Sequence, residues 1–170
     1  LLAMTQITNK PKAIILDTIN FWIEKYWDTL EKVISKVDII SINVEEAELI
    51  TREKDIEKAS RILHKMGPRY VIIKKGVEGA ELFGDGKKYC APAYILDKVI
   101  DPTGAGDCFI GGIAGYLSEI NEVSFDSLMS AIYYGTSLAS FSLEKIGTKN
   151  LLYLSKNSIE ERIKNIKERE

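Results

Sequence analysis

A run of small residues that ends in an acid is the part of this sequence best suited to chemistry. It occupies positions 101–107, reads DPTGAGD, follows an extended apolar segment and opens a predicted helix. Consecutive small residues let the backbone approach a ligand closely, and the first N–H groups of a helix have no partners within it. Together with the helix dipole, these groups are predicted to form a site for phosphate oxygens.

Asp107 closes this run, and its carboxylate is predicted to lie at the helix start beside the phosphate site. From there it can take the proton of a hydroxyl that attacks a terminal phosphoryl group, while the amides stabilise charge on the group in transfer. The competing interpretation is a glycine turn in which Asp107 only favours a helix N-terminus, since glycine turns are common.

Short apolar runs alternate with amphipathic stretches upstream of the glycine run. Strands are predicted at 11–17, 37–42 and 70–74, and helices at 21–36, 44–50 and 56–66. This alternation is typical of right-handed crossovers and of a mostly parallel sheet that helices cover on both faces. Trp22 and Trp27 lie on the first of these helices, and we expect them to be core or interface residues.

The pattern then changes to a hairpin followed by helices. Residues 79–83 and 88–91 flank the turn sequence GDGK, which predicts an antiparallel hairpin at the edge of the sheet. Further helices are predicted at 107–118, 125–143 and 158–169. We therefore predict a three-layer α/β/α fold, formed as a single domain over residues 1–170.

Charge and composition argue against several classes of function. The formal net charge is −2 and the pI is about 5.6, which argues against a broad basic surface for nucleic acid. The apolar runs are too short to span a membrane, and the first residues lack the pattern of a signal peptide. Cys90 and Cys108 show no metal-ligand spacing, as expected for a reduced, cytoplasmic protein.

The glycine run and the residues that follow it, CFIGG at 108–112, resemble the C-terminal signature of the ribokinase-like (PfkB-type) kinases. The resemblance extends over nearly the whole chain. It implies a ribokinase-like fold and transfer of the γ-phosphate of ATP to a hydroxymethyl group of a sugar or nucleoside. It also implies that Asp107 is the catalytic base and that the amides of Gly104, Ala105 and Gly106 form the anion hole.

The same resemblance assigns a role to Asn43 and Glu46, which match the family's Asn-x-x-Glu motif for magnesium and the phosphates of ATP. A carboxylate close to a triphosphate requires a metal ion or its water shell between them, because like charges repel. The alternative is a capping box, in which Asn43 and a glutamate three positions later begin a helix. Both roles can hold together.

Further positions follow from the resemblance. Lys74, Gly76 and Gly79 occupy the strand-end loop that contacts the nucleotide, and Thr136 falls near the position that flanks the adenine. Lys74 replaces a residue that is often threonine, so it is either a phosphate contact or a solvated strand end. Asp101 and Thr103 match two positions that hold an activating monovalent cation, usually K⁺; for Asp101 the alternative is a strand-end turn.

The sequence departs from the family ahead of Leu1. Complete members carry an additional segment there, which supplies the first strands of the sheet, most acceptor-binding residues and a small β lid. The resemblance therefore implies that this N-terminal part and the lid are missing, and that the chain alone is weakly active or inactive. An exposed sheet edge and apolar surface are expected to favour a homo-oligomer.

The sequence also bears on two other classes of function. One is a truncated, non-catalytic nucleotide-binding module, which the absent N-terminal segment favours and the intact Asp107, Asn43 and Glu46 oppose. The other is a dinucleotide-binding oxidoreductase. Its glycine fingerprint should follow the first strand, whereas the glycine run here comes late and is followed by helices.

Overall fold

The computed structural model describes residue 9 and residues 11–169. Strands and helices alternate up to the hairpin, and helices follow it. In chain order the elements are β1 (Ile15–Leu16), α1 (Asn20–Lys25), α2 (Trp27–Ile34), β2 (Ile39–Asn43), α3 (Val44–Thr51), α4 (Ile56–Met66), β3 (Tyr70–Lys74), a 3₁₀ turn (Gly76–Glu78), β4 (Ala80–Gly84), β5 (Lys87–Ala91), α5 (Ala105–Ile120), α6 (Phe125–Leu143) and α7 (Lys156–Lys167).

The strands form one five-stranded sheet in the order β1-β2-β3-β4-β5. β1 pairs with β2 and β2 with β3, both in parallel, with Ile15 opposite Ile39 and Asn43 opposite Lys74. β4 and β5 are joined by Asp85 and Gly86 alone. Both turn residues have positive φ, 50° and 71°, as the tight turn of an antiparallel hairpin requires. The predicted α/β fold, a mostly parallel sheet with an edge hairpin, is confirmed.

Two compact units are distinguished among the described residues. The first contains the residues up to Lys74 together with Leu82–Lys88, and the second contains Lys75–Glu81 together with the residues from Tyr89 onward. In the first unit, the parallel strands and their helices bury a branched aliphatic core. Its fully enclosed members are Ile34, Ile40, Ile42, Leu63, Val71 and Ile73.

The second unit is built on the close packing of α5 and α6. A Cβ atom added at Gly112 would lie 2.8 Å from the Cα atom of Gly135, and one added at Gly135 would lie 2.6 Å from the carbonyl oxygen of Phe109. The two helix backbones approach this closely only because neither glycine carries a side chain. α7 packs against the same layer through Ile163 and Ile166, which cluster with Tyr133.

Two predicted elements differ from the structure. The helix predicted over 21–36 is divided at Tyr26, whose backbone (φ −135°, ψ 35°) is not helical. Trp27 packs against the core, whereas Trp22 and Tyr26 remain 48% and 52% exposed. The strand predicted over 11–17 is present only at Ile15–Leu16, because ahead of it the Ile14 amide donates to the Asp38 side chain, over 2.8 Å, and not to a backbone carbonyl. None of the described helices is long and apolar enough to cross a membrane.

Candidate functional site

Polar residues collect where the three parallel strands of the first unit end. Asp17 follows β1, Asn43 is the last residue of β2, and Lys74 is the last residue of β3. The carboxyl ends of parallel strands lie at the same edge of a sheet, which is where ligands bind in open α/β folds. The register supports this, because Asn43 and Lys74 are directly opposite each other.

Asn43 and Glu46 form the capping box that the sequence allowed. The Glu46 amide donates to Asn43 Oδ1, and the Asn43 amide donates to Glu46 Oε2, each over 2.8 Å. Glu46 is only 5% exposed. Burial raises the pKa of its carboxyl group, and the hydrogen bond from the Asn43 amide and the charge of Lys74 act against that rise. The capping role is confirmed, and it holds the carboxylate in a fixed position.

Lys74 is not a solvated strand end, since its ammonium is paired. Lys74 Nζ lies 3.0 Å from Asp17 Oδ1 and 3.1 Å from Oδ2. The two side chains are 19% and 25% exposed, so the pair is largely screened from water. Sequence reasoning did not select Asp17. Its only signal was a polar residue directly after a buried strand.

The loop after β3 depends on its glycines for different reasons. Gly76 has φ 60° and an open environment, so its backbone is accessible. Gly79 has φ 90°, and a Cβ atom there would come within 2.0 Å of the carbonyl oxygen of Ala91. Lys75 is the first residue of this loop, and its ammonium lies 3.0 Å from the carboxylate of Glu81 and 3.3 Å from that of Glu78. Gly79 is therefore required for packing, and Gly76 leaves space for a ligand.

The glycine run opens α5 as predicted, two residues earlier than expected. Gly104 is the N-cap residue with φ 79°, a left-handed conformation that favours glycine, and no side chain caps this end of the helix. α3, α4, α6 and α7 are all capped by a side chain. Ala105, Gly106 and Asp107 form the first turn of α5, so amides and a carboxylate lie together at one helix start.

Asp107 itself is exposed. Its carboxylate makes no hydrogen bond or ion pair with the residues that the structure describes in its unit. Asp107 is the third residue of α5 and so does not occupy the N-cap position, from which Asp55 accepts a hydrogen bond from the amide of Lys58 over 2.9 Å. The Ala105 amide donates to the Pro102 carbonyl oxygen over 3.3 Å, and the start of α5 places it and the neighbouring amides beside a carboxylate that is available to accept a proton.

Asp101 serves as a turn residue. Its Oδ1 atom accepts from the Thr103 amide over 3.0 Å, and its Oδ2 atom accepts from the Gly147 amide over 3.2 Å. The hydrogen bond from the Thr103 amide is the main cause that lowers the pKa of this carboxyl group. No cluster of three or more His, Cys, Asp or Glu residues suited to a metal ion occurs in the described part of the chain.

Thr136 is half-buried in the middle of α6, directly after Gly135. The structure thus places the predicted residues in two groups, each within one unit. Asn43, Glu46 and Lys74 share a sheet edge with Asp17. The second group lies in the other unit and consists of Gly76, Gly79, Asp101, Thr103, Gly104, Ala105, Gly106, Asp107 and Thr136.

Known proteins with similar sequences are sugar and nucleoside kinases. Cytidine kinase of Thermococcus kodakarensis is 38% identical over 91 residues, which are 52% of this chain and 33% of that protein. Ribokinase of Haemophilus influenzae is 32% identical over 135 residues, or 76% of this chain and 42% of the relative. The chain therefore spans less than half the length of these two relatives.

The fold is shared with solved structures of kinases. Aminoimidazole riboside kinase from Salmonella enterica, complexed with aminoimidazole riboside and an ATP analog, superposes with a TM-score of 0.76. The match covers 89% of this chain and 52% of that one at 20% sequence identity, a level that shows the fold alone. The family model for pfkB family carbohydrate kinases matches residues 2–153. This chain therefore belongs to the pfkB family of carbohydrate kinases, with a ribokinase-like α/β fold.

Proposed function

We propose that the protein transfers the γ-phosphate of ATP to a hydroxymethyl group of a sugar or nucleoside. The observation that carries this proposal is the start of α5, where Asp107, whose carboxylate has no partner among the described residues of its unit, accompanies backbone amides that no side chain caps. Family membership supports the reaction class. The names of the relatives, cytidine kinase and ribokinase, support both kinds of acceptor.

Asp107 acts as the general base in this mechanism. Its carboxylate takes the proton of the acceptor hydroxyl as the hydroxyl oxygen forms a bond to the γ-phosphorus, and the bond from that phosphorus to the β-γ bridging oxygen breaks. The amides of Gly104, Ala105 and Gly106 donate to the oxygens of the group in transfer. Such donors are effective because they are fixed in place before the charge develops.

Glu46 and Asn43 are proposed to act on the phosphates through magnesium. The Glu46 carboxylate, fixed by the capping box, would hold a water of the hydrated ion, and magnesium when bound neutralises phosphate charge. The Lys74 ammonium would contact a phosphate oxygen directly. Gly76, Gly79 and Thr136 are assigned to the nucleotide, and their accessible or half-buried positions are compatible with contact.

Asp101 and Thr103 are proposed as ligands of a monovalent cation such as K⁺. Asp101 fits as a single anionic oxygen donor, because its pKa is lowered and the group stays ionised at neutral pH. A second role is then to order the loop that leads into α5, since Asp101 holds the Thr103 and Gly147 amides. We place the reaction in the cytoplasm, as expected for an ATP-dependent kinase.

The acceptor contacts are assigned to sequence outside this chain. The relatives are about two to three times as long as the part that matches here. A general base requires a positioned hydroxyl, because misplacement of the reacting groups slows a reaction steeply. We therefore expect the 170-residue chain alone to phosphorylate acceptors weakly or not at all.

Calorimetric titration of the chain with magnesium and a non-hydrolysable ATP analogue tests the nucleotide site. We expect saturable binding that Asp107→Asn preserves, because the proton acceptor is not a binding group. Gly104→Val should abolish it, because valine is strained at φ 79° and would displace the amides. Binding that survives Gly104→Val would show that the phosphates do not bind at the start of α5.

Phosphoryl transfer is tested with the gene product that includes any coding sequence upstream of Leu1. We expect turnover with a sugar or nucleoside, and a loss of about 10²–10⁴-fold in kcat for Asp107→Asn, the usual size of a general-base contribution. Nucleotide binding without turnover on any such acceptor would favour the non-catalytic module. Unchanged kcat in Asp107→Asn would remove Asp107 as the base.

A further inference from the structure

The ion pair between Asp17 and Lys74 joins residues from two strand ends that are 57 positions apart in the sequence. The ammonium contacts both carboxylate oxygens, over 3.0 and 3.1 Å. The Thr18 amide also donates to Asp17 Oδ1 over 3.0 Å, so the carboxylate is itself fixed by the backbone. An exposed ion pair is seldom held in this way.

The charges around this pair are predominantly acidic. Glu46 lies near enough that the charges of Lys74 and Asp17 both affect its pKa, in opposite directions. Glu45, next to it on α3, accepts a hydrogen bond from the Asn20 side chain over 3.0 Å. Lys74 is thus one ammonium near two carboxylates, those of Asp17 and Glu46. The nearby charges alone do not direct the Lys74 ammonium toward a phosphate. A direct contact must fix the position of the ammonium.

A lysine ammonium has three N–H donors. Both oxygens of Asp17 lie on the same side of the Lys74 ammonium, so they share one of its N–H groups, and the other donors have no partner among the described residues. The contact with Asp17 fixes the position of the nitrogen and leaves donors available on the side away from the carboxylate. A phosphate oxygen that arrives at the carboxyl end of β3 would then meet an ammonium whose position is already fixed.

We propose that Asp17 is a positioning residue that holds the Lys74 ammonium in place at the carboxyl end of β3 for a phosphate oxygen of the nucleotide. This inference rests on the proposed kinase function, and it adds a residue that the family resemblance did not supply. Asp17 itself does not touch the nucleotide. Its carboxylate repels phosphate, so its benefit must appear in the rate of transfer and not in the affinity for nucleotide.

The proposal predicts a split between the two kinetic constants for Asp17→Asn. Asparagine preserves the shape of the side chain but removes the charge that holds the ammonium. We expect kcat to fall about 10-fold, since misplacing a charged group by a fraction of an ångström commonly costs that much. KM for ATP should stay the same or fall about threefold, because a charge that repels phosphate is lost. Asp17→Glu should lie between the two.

A double-mutant cycle with Lys74→Met shows whether Asp17 acts through Lys74. With Met at position 74 there is no ammonium to orient, and Asp17→Asn should then leave kcat within about twofold. Asp28, an exposed aspartate at the start of α2, provides the matched control, and Asp28→Asn should change neither constant. The measurements use the gene product with any upstream sequence, well below the melting temperature of each variant.

The outcomes separate the possible failures. An equal loss of kcat from Asp17→Asn in the presence and absence of Lys74 would overturn the positioning role, as would a rise in KM with kcat unchanged. If the unsubstituted protein phosphorylates no acceptor, the proposed function fails and this inference fails with it. A normal kcat in Asp17→Asn alongside an inactive Asp107→Asn would reject the role of Asp17 alone.

Discussion

At the scale of single residues, Glu46 shows how a site residue can oppose stability. Its carboxyl group is 5% exposed, and burial raises its pKa above the ordinary value of 4.5. The ionised form is therefore disfavoured in the folded state relative to the unfolded state. Stability is lost as the pH rises from 4.5 through the raised folded pKa. The carboxylate that we assign to magnesium is thus present at a cost in folding free energy.

Replacing Glu46 by Gln should make this cost visible. Gln can accept the same hydrogen bond from the Asn43 amide, so the capping box is retained, and no charge is buried. We expect Glu46→Gln to melt at a higher temperature than the unsubstituted chain at pH 7, with the difference disappearing near pH 4. Thermal unfolding by circular dichroism at both pH values measures this.

The same variant should bind the magnesium–ATP analogue more weakly, because a neutral amide attracts the hydrated ion less strongly. Asn43→Ala is the comparison, since it removes the cap at the other position and should lower stability by about 1 kcal/mol. A Glu46→Gln chain that is less stable at pH 7 and not at pH 4 would contradict the assignment of burial as the dominant effect.

At the scale of elements, the crossing of α5 and α6 determines the position of the glycine run, because that run forms the start of α5. The crossing depends on Gly112 and Gly135, each of which contacts the other helix with backbone atoms closer than a Cβ atom tolerates. Gly115 lies on the same helix with no atom within 4 Å of its Cβ position. In α5, therefore, close packing requires glycine at position 112, whereas position 115 has space for a side chain.

Alanine substitutions at these two glycines should have opposite effects. Gly112→Ala introduces a methyl group 2.8 Å from the backbone of Gly135, and we expect it to lower the free energy of unfolding by about 1–3 kcal/mol. Gly115→Ala should raise it by up to about 1 kcal/mol, because alanine favours helix. Urea unfolding of both variants provides the test, and equal effects would show that the helices do not cross at Gly112.

At the scale of the whole molecule, an exposed aromatic group lies close in sequence to the terminal strand of the sheet. Phe21, Trp22 and Tyr26 contact one another, with ring centroids 5.2 to 5.7 Å apart, and about half of each side chain is exposed. Among the described strands, β1 pairs only with β2. An apolar patch next to an unpaired strand edge commonly marks a surface that binds another chain.

We expect this 170-residue chain to self-associate through that surface. Light scattering after size exclusion should show a mass that rises with concentration above the 19.1 kDa of one chain. Trp22→Ser with Phe21→Ser should reduce the association at least about tenfold, since two large aromatic groups leave the contact. Tyr153→Ser, at a side chain that is 92% exposed elsewhere, is the control. A monomer at all concentrations would contradict the expectation.

The sequence by itself determined those features whose signals lie within a few residues. The Asp85-Gly86 turn, the Asn43–Glu46 capping box and the glycine run that opens α5 are all decided by neighbouring residues, and each is present where the sequence indicated it. The alternation of strands and helices likewise indicated the α/β fold. These features can be predicted from the local sequence, because the residues that form their hydrogen bonds are close together in the chain.

Only the tertiary structure decided the contacts that join distant positions. Asp17 meets Lys74 because the register of β1, β2 and β3 brings the ends of these strands to one edge. Gly112 matters because of where α6 crosses α5, and the break at Tyr26 separates Trp27 in the core from an exposed Trp22. Strand register and helix crossing depend on how whole surfaces pack against each other. A short stretch of sequence does not contain that information.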